Sequence, residues 1–189
     1  MPSTATDRPR PHRLSVDDYH RMAAAGILGE DARVELIEGA IIDMTPIGSR
    51  HAGSVTQLNR ALEHSIGDTA LVWVQNPIAL DPHTEPQPDL ALLRPREDFY
   101  KSGHPRPADI LLIIEVADTS LAYDRDIKLP LYARAGIPEA WLVDPDAATL
   151  TRLTSPSADG YRQEEVATDL QHIGVSTLPG LVLDLRGLF

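Results

Sequence analysis

The stretch DILLIIEVADTSLAYDRDIKLPLYARAGIPEAWLVD, residues 109–144, decides the fold. Its first apolar run, residues 110–114, shows no polar alternation, which is the pattern of a strand covered on both faces. The run ends on Glu115, a charge placed where only a paired or metal-bound carboxylate is tolerated. A helical segment carrying Lys128 follows, then a second apolar strand over 140–143. Strand, helix and strand within roughly 35 residues is the length of one βαβ crossover. Pro130 complicates the helix, because an interior proline removes a backbone donor and costs ~3 kcal/mol. The helix must begin late or bend beside Lys128.

Upstream, Ser15 and Asp18 form a helix-start signal, and Val16, Tyr19, Met22 and Ala23 give an apolar stripe that Gly26 ends. RVELIEGAIIDM (33–44) reads as two strands around a tight turn at Glu38-Gly39, and alternation sets Glu35 on the same side as Ile37. Residues 49–66 change to helical period, with Val55, Leu58, Leu62 and Ile66 in one stripe and His51 near the first turn. ALVWVQNPIAL (70–80) is a strand with a polar interruption at 75–77. A proline-rich loop then leads to Asp89 and a short strand over 90–93. Residues 94–108 form a surface excursion, and short strands are expected over 149–153, 160–166 and 181–185. Residues 1–13, polar and proline-rich, read as a flexible tail, and residues 14–189 as a single domain.

The chain has 189 residues, enough for one core, and 42% hydrophobic with 24% charged residues is ordinary for a globular protein. Without cysteine, disulfides and thiolate metal sites are excluded, and the composition suits a reducing cytoplasm. No run is long enough to span a bilayer, so no membrane partner is expected. A net charge of −11 argues against broad non-specific nucleic-acid binding, while leaving room for a local basic groove or a cation held by acids.

The chemistry-bearing residues cluster at strand ends. Asp89 begins one strand and Glu115 ends another, so the two carboxylates can converge on one hard cation, with the Val116 carbonyl as a third ligand. Lys128 is placed to orient a water and offset charge on a phosphoryl group. It lies one helical turn after Asp124 and shares its face. The same residues also read without chemistry: Asp89 as a turn residue after proline, Glu115 as a solvated strand end, Asp124–Lys128 as an exposed ion pair. Spacing leaves both readings standing. Glu35 offers either a further carboxylate or a buried ion pair in the hairpin, and His51 a phosphate contact or one of seven histidines with no role. His12, His83 and His104 lie in polar loops and receive no assignment. Tyr132 and Trp141 read as core.

Pro88-Asp89 followed by an apolar strand ending in Glu115-Val116 resembles the PD-(D/E)XK nuclease superfamily. The extended series EVADTS, Asp124, Lys128, Tyr132, AGIPEAW and LVDP, with the ELIEG hairpin and His51 upstream, resembles its Uma-type endonuclease family. The resemblance covers roughly residues 14–146, most of the chain. It implies an α/β (α+β) restriction-endonuclease-like core, a mixed sheet flanked by helices, and Mg²⁺- or Mn²⁺-dependent cleavage of DNA. Asp89, Glu115 and the Val116 carbonyl would hold the metal. Lys128 would act on the water, and Glu35 would complete the acidic shell. Ala117 stands where the superfamily's motif has its lysine, so that role passes to Lys128. Asp118 replaces a common serine, and Ala140 a common aromatic. A homodimer suits a duplex substrate. Two other functions fit the same features: a catalytically inactive module on this fold, or a metal-dependent phosphoesterase acting on small substrates.

Overall fold

The computed structural model describes residues 11–29 and 31–189, so most of the expected tail lies outside the described residues. The centre is β5 (Ile110–Val116), buried along its whole length. It lies in a six-stranded sheet of order β3-β4-β5-β6-β7-β8, built from β3 (Leu71–Val74), β4 (Leu90–Leu93), β6 (Glu139–Asp144), β7 (Thr149–Ser157) and β8 (Gly160–Val166). β5 and β6 run parallel, and the other neighbours run antiparallel. The parallel pair is the one joined by the lysine-bearing helix, as the βαβ reading expects. The sheet is mixed and flanked by helices, as the resemblance implied.

Alternation along the strands builds a core on each face. Leu90, Leu92, Leu112, Ile114, Val116, Trp141 and Val143 face α2 (Ser49–Ile66), whose Val55, Leu58, Leu62 and Ile66 stripe covers them. Ala91, Leu93, Ile113, Ala140 and Leu142 face the other way, against Leu129 and Tyr132. A register shift between Leu92 and Leu93 makes Leu111 the extra residue, which is why Leu111 and Leu112 face the same core. The outer edge strand β8 carries Arg162, Gln163, Glu164 and Glu165. Exposed charge of this kind blunts an open edge.

The crossover resolves the conflict at Pro130. A short α3 (Leu121–Tyr123) widens into a π-helical turn over Asp124–Lys128 and then tightens into α4 (Leu129–Arg134), with Pro130 in the first turn of α4. The Leu129 N–H reaches back five residues to the Asp124 carbonyl. The backbone stays helical through Lys128 and Leu129, so the proline lies inside a continuous helical run, and the widened π turn just before it accommodates its ring and missing N–H.

α1 (Val16–Ala24) is capped as its sequence predicts: Ser15 Oγ accepts the Asp18 N–H at 3.1 Å, and the Asp18 carboxylate accepts the Ser15 N–H at 3.0 Å. The bonds from Ser15, with Arg21 adding to them, lower the Asp18 pKa from 3.8 to about 2. A depressed acid stabilises the fold above its unfolded pKa and loses that contribution as pH falls through the folded value. Carboxyl NMR will show Asp18 titrating near pH 2; a midpoint at the ordinary value would show an open cap.

The hairpin β1 (Val34–Ile37) and β2 (Ala40–Asp43) stands apart from the sheet. Its turn puts Glu38 and Gly39 at φ of 50° and 86°, as a two-residue hairpin loop requires. A Cβ on Gly39 would lie 2.6 Å from Arg13 Cβ, so this glycine also permits a close chain approach. The hairpin docks through the bridge Leu36–Glu85, which turns Glu35 toward the end of β5. β9 (Ile173–Gly174) and β10 (Val182–Leu183) pair near the C-terminus and close the α2 face of the core. Among the described residues, no helix is long and apolar enough to cross a membrane.

Candidate active site

β4 and β5 are paired with Leu90 opposite Ile114. Extending that register by one residue sets Asp89 opposite Glu115, with Glu115 turned to the crossover helix and Asp89 within reach of the first turn of α2. The Val116 N–H donates to Asp89 Oδ2 at 2.9 Å, and the Asp89 N–H points at Glu115 Oε2 at 3.4 Å. The two acids are thus fixed by sheet geometry. They border a cleft of about 360 Å³ whose lining also includes Glu35, His51, Asp124 and Lys128.

Lys128 is buried, with its ammonium 2.7 Å from Glu115 Oε1, 3.8 Å from Glu35 Oε2 and 3.2 Å from the Gln87 carbonyl oxygen. The exposed helical pair with Asp124 is not what forms. Both residues are buried in the π-helical turn, and Asp124 instead accepts the Ser120 hydroxyl at 2.5 Å. Tyr132, one turn beyond Lys128, donates its hydroxyl to Glu115 Oε1 at 2.5 Å. Its ring is core, as the sequence suggests, but its oxygen belongs to the site. Glu35 accepts the Gln87 N–H at 3.0 Å and the Tyr123 hydroxyl at 3.0 Å.

His51 projects from the first turn of α2 and lies 3.0 Å from Asp89 Oδ1. That hydrogen bond raises the His51 pKa against the opposing effect of burial. Burial pushes Asp89 up, but His51, the Val116 N–H and Lys128 together outweigh it and leave the carboxyl below its ordinary value. Burial pushes Glu115 up to about 8, against the pull of Lys128. Lys128 stays cationic because Glu115, Glu35 and Asp124 outweigh its burial. Burial also raises Asp124.

Six acids (Glu35, Asp43, Asp89, Glu115, Asp118 and Asp124) therefore line a cleft whose cationic side chains are Lys128 and Arg33, beside the His51 imidazole, an excess of hard oxygen donors. This donor set fits a divalent cation, which takes one or two carboxylates and fills its remaining shell with water or phosphate oxygens. Asp89 and Glu115 are the pair suited to it. The Val116 carbonyl accepts the Asp118 N–H at 3.2 Å and keeps a second lone pair. The Val116 N–H, already bonded to Asp89, is the contribution that sequence reading did not foresee.

Gln75, Gln87 and Tyr123 also escaped sequence reading. Gln75, at φ 47°, donates its side-chain amide to Asp89 Oδ1 at 3.3 Å. The polar break in the β3 segment was its only signal. Gln87 acts through its backbone, which no residue type announces.

A crystal structure from Anabaena variabilis ATCC 29413, titled "a putative nuclease belonging to DUF820", shares the fold with a TM-score of 0.68 at 19% identity, covering 93% of this chain and 97% of that one. No curated protein matches the chain. The family model Uma2, described as "Putative restriction endonuclease", matches residues 16–186, spanning the hairpin, both acids and the lysine. The chain belongs to the Uma2 family of restriction-endonuclease-like proteins.

Proposed function

We infer that the chain is a divalent-cation-dependent DNA endonuclease, working with Mg²⁺ or Mn²⁺. The observation that carries this reading is the convergence of Asp89, Glu115 and a buried Lys128 at one end of the sheet, open to a cleft. A bound cation would supply Lewis acidity and a more acidic water. Asp89 and Glu115 would hold it, and the Val116 N–H keeps the Asp89 carboxylate turned to its place. Lys128 would direct its remaining donor capacity at a phosphate oxygen or the attacking water, favouring the charge that develops in the transition state. Glu35 holds the ammonium from behind, and His51 holds Asp89. Without a cation the acidic lining repels a polyanion, so cation loading precedes DNA. A two-fold homodimer in the cytoplasm would present one such site to each strand.

Plasmid DNA incubated with the purified chain will be nicked or cut in Mg²⁺ or Mn²⁺ and left intact with chelator. Asp89→Asn will lower the rate at least about 100-fold, the scale of a lost transition-state contact. Equal rates in parent and variant would overturn the assignment. Intact DNA alongside hydrolysis of short phosphoesters would favour a phosphoesterase.

A further inference from the structure

A second cluster of ligating side chains lies apart from the cleft residues. His20 stands on α1, Glu85 on the loop bridged to β1, and His104 in the excursion before β5. Each offers one ligand atom, and the three atoms lie within 4.8 Å of one another. Among the described residues this is the only group of three or more histidine and carboxylate ligands so arranged. His20 Nε2 is 2.7 Å from Glu85 Oε1, and the two imidazole rings meet edge-on with centroids 6.0 Å apart.

The decisive atom is the other Glu85 oxygen. Glu85 is only 3% exposed, yet among the described residues its Oε2 has no hydrogen-bond partner. A buried carboxylate oxygen left unpaired is costly. A simple His20–Glu85 ion pair accounts for Oε1 but explains neither the bare Oε2 nor the arrival of His104. A cation held by His20, His104 and the Glu85 carboxylate would account for the meeting of the rings and, gripped through both oxygens, would give Oε2 a partner.

We propose that His20, Glu85 and His104 form a binding site for a transition-metal cation of the Zn²⁺ type. Two imidazoles and one carboxylate suit Zn²⁺, and a half-exposed His20 leaves a fourth position open to water. Mg²⁺, which prefers oxygen ligands, is not matched by this set. The ligands come from three segments far apart in sequence, so the ion joins them. α1 needs such a fastening: it has no buried residue. Its ties to the body include the Val16 N–H to the Pro82 carbonyl at 2.8 Å and the Tyr19 hydroxyl to the Val34 carbonyl at 2.9 Å. The metal would clamp this helix against the hairpin and the loop that leads to Asp89.

The test uses the tag-free full chain, stripped with chelator and titrated with Zn²⁺ by calorimetry in excess Mg²⁺. The expected result is one Zn²⁺ per chain, lost or weakened at least about 100-fold in His104→Ala and in Glu85→Gln, and retained in Asp89→Asn. Losing a group that only orients a metal ligand costs about 10–100-fold in affinity, so losing a ligand itself sets the larger value. Co²⁺ will give the visible absorption of a tetrahedral site in the parent and not in His104→Ala. Thermal unfolding will rise by about 5–10 °C at a hundredfold excess of Zn²⁺ over Kd. Circular dichroism confirms that the variants fold, and His104→Ala, a loop substitution, remains informative if Glu85→Gln does not fold. Zn²⁺ binding that survives both substitutions, or that disappears only in Asp89→Asn, would overturn the site.

Discussion

On the nuclease function proposed above, replacing Lys128 with methionine will lower DNA cleavage about 10²–10³-fold, the loss expected when one donor aimed at developing charge is removed. The fold should survive near neutral pH. Methionine fills much of the lysine's volume, and Glu115 keeps the Tyr132 hydroxyl on the oxygen that the ammonium leaves. What changes is how firmly Glu115 holds its proton, since burial already lifts its pKa to about 8 while Lys128 pulls it down. Without that pull the carboxyl rises further and keeps its proton to higher pH. An acid whose folded pKa exceeds its unfolded one stabilises the fold below the unfolded pKa, and that contribution is lost as pH rises through the folded value. Lys128→Met will therefore lose thermal stability more steeply than the parent above pH 8 or so. Lys128→Arg should not restore cleavage, since a planar guanidinium cannot replace a compact ammonium in a buried niche. Cleavage by Lys128→Met within tenfold of the parent would remove the lysine from the mechanism.

The residues of this prediction differ in how readily the sequence disclosed them. The βαβ unit was legible because residues 110–114 are apolar on both faces, and burial on both faces is the strongest signal a strand gives. Glu115 was legible for the same reason, as the one charge in that run. Asp89 became legible through its position at a strand start, and pairing register then placed it opposite Glu115. Lys128 stands out in the sequence by its place after Glu115, but its partners do not, since the π-helical turn depends on how the backbone accommodates Pro130. The role of Glu35 rests on the Leu36–Glu85 bridge, a contact across about fifty residues that no local pattern encodes. The same holds more strongly for His20, Glu85 and His104. Their spacing matches no local metal motif, and His104 looked like a loop histidine until the fold brought it to Glu85.

Glu139→Ala will destabilise the protein by about 3 kcal/mol, the lower part of the range for breaking a buried charge pair. Glu139 is wholly buried, though nothing in AGIPEAW marks this charge as structural. Its Oε1 accepts the Trp141 indole N–H at 2.7 Å and the Arg152 guanidinium at 3.3 Å. Its Oε2 accepts the Ser176 N–H at 2.7 Å and also the Ser176 hydroxyl. One carboxylate thus joins β6, β7 and the segment after β9, which brings Val175 into the core on the α2 face. Alanine leaves the indole and the Ser176 amide without acceptors, and each orphaned donor costs about 1–3 kcal/mol. The total stays near the lower figure because Arg152 keeps Glu165 at 3.7 Å. Glu139→Gln should fall between parent and alanine, since an amide has a single accepting oxygen and cannot serve both sides. Urea unfolding measures the difference, and a thermal midpoint lower by about 6–12 °C is the matching result. On the proposed nuclease function, the folded fraction should cleave DNA at the parental rate, because Glu139 does not line the cleft. A change under 1 kcal/mol would mean that water replaces the carboxylate without cost, and that the C-terminal segment is held by its apolar side chains alone.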